Sequence, residues 1–134
     1  MKTKNTIFER ALLYSVALIY LQTLYFKFAG AEEARFIFTA MGMEPWGRYL
    51  IGGAEFIIAV MLIYPGTALF GSSLSVLLMT GAIIGHTLFI GIEVMGDGGL
   101  LFGMALYNAI VGIYILIVRR NVVAERLRRF YSSK

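Results

Sequence analysis

Between Gly47 and Tyr64 the chain is apolar apart from Arg48 at its start and Glu55 within it. Pro45 precedes the stretch and Pro65-Gly66 follows it, leaving a segment of the length that crosses a bilayer as a helix. In lipid a single segment satisfies its own backbone only as a helix. A carboxylate eight residues inside such a span costs roughly 2.5–3.5 kcal/mol on insertion scales, so it must be paired, protonated or used. Glu55 is therefore the first candidate for function.

Three further apolar runs accompany this one, at 11–28, 67–94 and 100–118, with the span around Glu55 taken as 47–64. The hydrophobic fraction of 59% lies above the soluble average of about 45–50%. The expected fold is an all-α membrane protein, one domain over 1–134, built as an antiparallel four-transmembrane-helix bundle. Connections as short as 65–66 and 96–99 make the last three spans successive antiparallel neighbours. Ala29-Gly30-Ala31 mimics a signal-peptidase site, but the run before it is long and tyrosine-rich for a signal sequence. It is read as a retained span.

Between the first two spans, Ala31–Met41 predicts a short interfacial helix. Glu32 and Glu33 suit its N-terminus, and Phe36, Ile37, Ala40 and Met41 offer an apolar face. Pro45 and Trp46 then suit a first helical turn at the membrane interface. In the third run, Gly81 and Gly85 match the GxxxG spacing that permits close helix contact. Asp97-Gly98-Gly99 is a turn signal.

Charge gives the expected orientation. Of the twelve basic residues, nine fall at the two ends: Lys2, Lys4, Arg10, Arg119, Arg120, Arg126, Arg128, Arg129 and Lys134. The opposite side holds Lys27, Arg35 and Arg48 together with five acids, Glu32, Glu33, Glu44, Glu93 and Asp97. Both termini are thus expected in the cytoplasm. The tail 119–134 mixes arginines with Val122, Val123, Leu127, Phe130 and Tyr131, as an amphipathic extension on an anionic leaflet would. Anchoring charge of this kind accounts for the net +4, and no nucleic-acid partner is implied. With no cysteine and one histidine, the chain cannot shuttle disulfides or ligate a haem through two histidines, and no metal site is expected.

Counting along each helix at about 1.5 Å per residue places one strongly polar side chain from each span roughly 9–12 Å below the outer boundary: Gln22, Glu55, His86 and Asn108. Lys27 lies near the mouth of this layer. Glu93, seven residues past His86, falls on nearly the same helical face, and Tyr25 and Tyr107 could add hydroxyls. A Glu–His pair can share a proton or hydrogen-bond a carbonyl ligand such as a quinone head group. The same residues could instead bond only to one another and lock helix register, with Lys27 snorkelling at the boundary.

Over residues 11–118 the chain resembles the DoxX-like family of small four-span bacterial membrane proteins. The resemblance is carried by Tyr25-Phe26-Lys27-Phe28-Ala29-Gly30, Met41-Gly42-Met43-Glu44-Pro45-Trp46, Gly52-Gly53-Ala54-Glu55, Gly85-His86 and Asp97-Gly98-Gly99-Leu100-Leu101-Phe102. It implies the four-helix fold and a quinone connection, since the family takes its name from a thiosulfate:quinone oxidoreductase subunit. Lys27, Glu55 and His86 are family-type positions.

The leading expectation is an accessory or binding subunit, not an enzyme by itself. It would hold a lipophilic redox molecule, a quinone, in a polar pocket near the outer face, with no intrinsic cofactor. Its expected partners are the lipid bilayer, a separate redox enzyme and a second copy of the chain. A proton-coupled transporter and a purely structural or assembly protein are the alternatives.

Overall fold

The computed structural model describes residues 6–133, all of whose regular elements are helical. Lys2, Lys4 and Lys134 of the charge count lie outside the described residues. In chain order the helices are α1 (Thr6–Ala29), α2 (Glu32–Ala40), α3 (Trp46–Ile63), α4 (Ala68–Gly85), α5 (Leu100–Val118) and α6 (Arg120–Ser132), and a π-helical turn at His86–Ile90 extends α4. Four segments are long and apolar enough to cross a membrane: Ile7–Ala29, Trp46–Ile63, Ala68–Ile90 and Leu100–Val118. The protein is a multi-pass helical membrane bundle.

Helix α1 packs on α3, α3 on α4 and α4 on α5, and α5 returns to touch α1. On α1 the buried positions Leu13, Val16, Ala17 and Tyr20 follow the i, i+3, i+4, i+7 rhythm of one helical face. Leu18, Ile57, Leu77 and Ile110 point outward, where lipid is their solvent. Below, the near end is the one where α1 begins and α5 finishes, and the far end carries α2 and the 91–99 loop.

Three sequence expectations change here. The third span stops at Ile90, short of Val94, because the chain turns out of the helix at Gly91, whose φ of 98° suits glycine. The hydropathy of Ile92, Val94 and Met95 had carried the run onward. Helix α2 buries Ala34 and Phe38, an i, i+4 pair, and leaves Phe36 and Ala40 exposed. Finally, Gly81 faces open space and Gly85 faces the Met41 sulfur, so the GxxxG pair makes no helix–helix seam. The tight approach is at Gly112 of α5, where a Cβ would stand 2.7 Å from Val76 Cγ2 and 3.2 Å from the Ser72 carbonyl oxygen.

Candidate functional site

Side chains on a helix lean toward that helix's own N-terminus. Because α1 and α3 run in opposite directions, Lys27 leans down from the far end and Glu55 leans up toward it. They meet inside the bundle. Lys27 Nζ lies 2.9 Å from Glu55 Oε2 and 3.1 Å from Oε1, with the two side chains only 15% and 5% exposed. Thr23 Oγ1 donates to Oε2 at 3.4 Å. One turn further in, the Tyr20 and Ser75 hydroxyls are paired at 2.6 Å and link α1 to α4.

Above this pair sits a second ion pair. Arg48 Nε donates to both Glu44 oxygens at 3.0 Å, and Nη2 lies 2.9 Å from Oε1. Arg48 Nη1 donates to the Lys27 carbonyl, satisfying one of the acceptors a helix leaves open at its C-terminus. The guanidinium also stands 4.6 Å from the centre of the Tyr49 ring. Lys27 is thus held at its backbone by Arg48 and at its ammonium by Glu55.

The other expected members of the layer go elsewhere. His86 is buried, and Nδ1, in the tautomer that carries its proton there, donates to the Gly91 carbonyl at 2.9 Å. Its ring meets Phe102 edge-on at 5.6 Å, and no hydrogen bond joins it to Glu55. Asn108 is buried, and its Oδ1 has no hydrogen-bond donor among the described residues. Gln22 and Tyr25 are exposed, one or two residues out of phase with the inward face that carries Tyr20, Thr23 and Lys27. Glu93 is exposed in the loop, since the helix that was to carry it ends before Gly91. Tyr107 OH pairs with Ser15 Oγ at 2.7 Å, between α5 and α1.

Asp97 organises the loop beyond His86. Its Oδ1 accepts from the Val94 and Gly99 amides at 2.9 and 2.8 Å, and Oδ2 accepts from the Leu101 amide at 3.0 Å, inside the first turn of α5. These amides, Leu101 first and Val94 next, hold its carboxyl below the ordinary value against a small opposing effect of burial.

Among the clefts on the bundle, two are of note. A groove of ≈ 440 Å³ at the far end runs between α1 and α5, past Ile19, Gly98, Gly99, Leu100, Met104 and Tyr107. A smaller cleft of ≈ 200 Å³ opens at the near end among Arg10, Leu13, Tyr14, Leu62, Pro65 and Arg119. Neither is lined by Glu55, Lys27, His86 or Asn108. Beside the smaller cleft, Arg119 Nη2 and Nε approach Glu9 Oε2 at 2.6 and 2.7 Å, tying the start of α1 to the end of α5.

Sequence reasoning missed Thr23, the Tyr20–Ser75 pair and the Glu9–Arg119 pair. A signal for the first two was present, since Leu13, Val16, Tyr20, Thr23 and Lys27 share one helical face. The Glu9–Arg119 pair spans the whole chain and left no local pattern. The chain matches no protein-family model, no curated protein and no solved structure.

Proposed function

We propose that this chain is a membrane-embedded accessory subunit that seats the head group of a quinone-type molecule in the groove between α1 and α5. The supporting observation is that groove. Its ≈ 440 Å³ falls in the range of about 300–1,000 Å³ usual for small-molecule sites. Ile19, Leu100 and Met104 give apolar walls, and the Tyr107 hydroxyl, already paired with Ser15, can turn to donate to a quinone carbonyl. Gly98 and Gly99 add no side chains to obstruct a flat ring, and the exposed Leu100 and Leu106 on α5 offer an apolar surface for an isoprenoid tail. The DoxX-like sequence resemblance points the same way. A separate enzyme is the expected source of electrons. The surplus of arginine and lysine near the termini supports a cytoplasmic near end, which puts the groove in the outer half of a bacterial inner membrane.

Gly103 lines the groove, and a Cβ there would meet nothing within 4 Å. Gly103→Leu should therefore fill the seat without disturbing the fold. Quinone extracted from protein purified in mild detergent, quantified by mass spectrometry, should fall about tenfold in Gly103→Leu and in Tyr107→Phe, the worth of one hydrogen bond or a blocked seat. Finding no quinone-type molecule, or an undiminished amount in Gly103→Leu, sinks the proposal.

A structural or assembly role is the second reading, and one observation favours it. Lys27 and Glu55 pair with each other between α1 and α3, and Thr23 adds a donor to the same carboxylate. Such a pair can set helix register without touching a ligand. On that reading Lys27→Met alters thermal stability and no ligand signal.

A further inference from the structure

The near-end cleft has the composition of a different kind of site. Its floor is apolar, formed by Leu13, Leu62 and Ala68, and its rim carries Arg10, Arg119 and the Tyr14 hydroxyl. Arg119 is balanced by Glu9, whereas the Arg10 guanidinium is exposed and has no ion-pair partner among the described residues. Two positive charges against one negative leave the rim at +1. Arg10 lies in the first turns of α1, Arg119 directly follows α5, and Pro65 sits in the α3–α4 turn, so the rim stands at the ends of all four spans. The ends of membrane-spanning helices are where a bilayer's head-group region is expected.

We infer that this cleft binds the phosphate head group of an anionic phospholipid, with Arg10 as its principal contact and Tyr14 as a second donor. A guanidinium offers the planar N–H fork that phosphate oxygens accept best. The volume of ≈ 200 Å³ is below the range of about 300–1,000 Å³ for a whole small molecule. It suits a single head group, with acyl chains continuing over the exposed Ile63 into the surrounding lipid. The apolar floor distinguishes a lipid from a free phosphate ion only through the glycerol and first acyl carbons that follow the phosphate, which can cover Leu13, Leu62 and Ala68.

The test uses the full chain, stripped of lipid in mild detergent and examined by native mass spectrometry. Phosphatidylglycerol, phosphatidylcholine and inorganic phosphate are added in separate arms. Phosphatidylglycerol adducts should persist at energies that strip phosphatidylcholine, with an apparent affinity about tenfold higher, the size of one charge-assisted contact. Arg10→Gln should abolish that preference and Arg10→Lys should retain most of it. Arg126→Gln, on α6 and away from the cleft, should leave it unchanged. Equal retention of the two lipids overturns the assignment. So does an Arg126→Gln effect as large as that of Arg10→Gln, which would make the attraction a diffuse property of the basic tail. Inorganic phosphate that binds alone or displaces the lipid would identify a free anion as the ligand and overturn the lipid.

Discussion

Lys27 and Glu55 are not equally exchangeable, because they sit at different depths on their helices. Lys27 is two residues from the end of α1, whereas Glu55 is nine residues past the start of α3. Lys27→Met leaves a carboxylate stranded in the bundle, and breaking a buried pair this way costs about 3–5 kcal/mol. Glu55→Gln frees a lysine that can swing its ammonium to the boundary, so the loss is about 1 kcal/mol. Thermal unfolding in one detergent should rank Lys27→Met below Glu55→Gln, with Lys27→Met/Glu55→Leu close to the parent. Equal losses from the two single changes would contradict this asymmetry. Glu55 was legible from sequence because a lone acid in an apolar run has few explanations. Lys27 was placed at the mouth of the same layer, but its pairing with Glu55 was not read, because a boundary lysine reads equally as snorkelling until the opposed lean of two antiparallel helices is known. Gln22 was misplaced for a related reason. Depth was read from residue counts, but phase around α1 decides which side chains face inward.

At the scale of the helices, contacts follow the glycines that have neighbours. Gly112→Ala drives a methyl into Val76 and the Ser72 carbonyl, and overpacking of this kind costs about 1–3 kcal/mol. Gly81→Ala adds a methyl in open space and should match or slightly exceed the parent's melting temperature. If both changes had the same effect, the seam between α4 and α5 would lie elsewhere. The start of α5 makes a pH-dependent prediction. Asp97 has a depressed folded pKa, so its contribution is complete above the unfolded carboxyl value of about 3.9 and is lost as pH falls through the lower folded value. The melting temperature should drop across that acidic window, and Asp97→Asn should flatten the drop. At neutral pH, Asp97→Ala should cost about 1 kcal/mol, as loss of a helix cap does. The four spans were readable from their hydropathy. The early end of the third was not, because the left-handed Gly91 stops a helix without lowering the apolar content around it. His86 consequently belongs to a π-helical turn held by Gly91, and of the counted layer Glu55 pairs with Lys27, Asn108 is buried on α5 and Gln22 is exposed.

For the molecule as a whole, four crossings put residue 133 and the 91–99 loop on opposite faces of the membrane. The natural chain has no cysteine, so Ser133→Cys and Glu93→Cys each introduce a unique label site. A membrane-impermeant maleimide should reach them from opposite sides of sealed vesicles, and labelling from one side would mean that α5 does not cross. The Lys27–Glu55 contact also bears on how such a chain is made. As each segment leaves the insertion machinery, α3 on its own carries an acid that opposes partitioning by roughly 2.5–3.5 kcal/mol. Helix α1 is synthesised first and holds the lysine that removes that penalty. The contact therefore favours entry of the first two crossings into lipid together as a hairpin, in which Glu55 already has its partner.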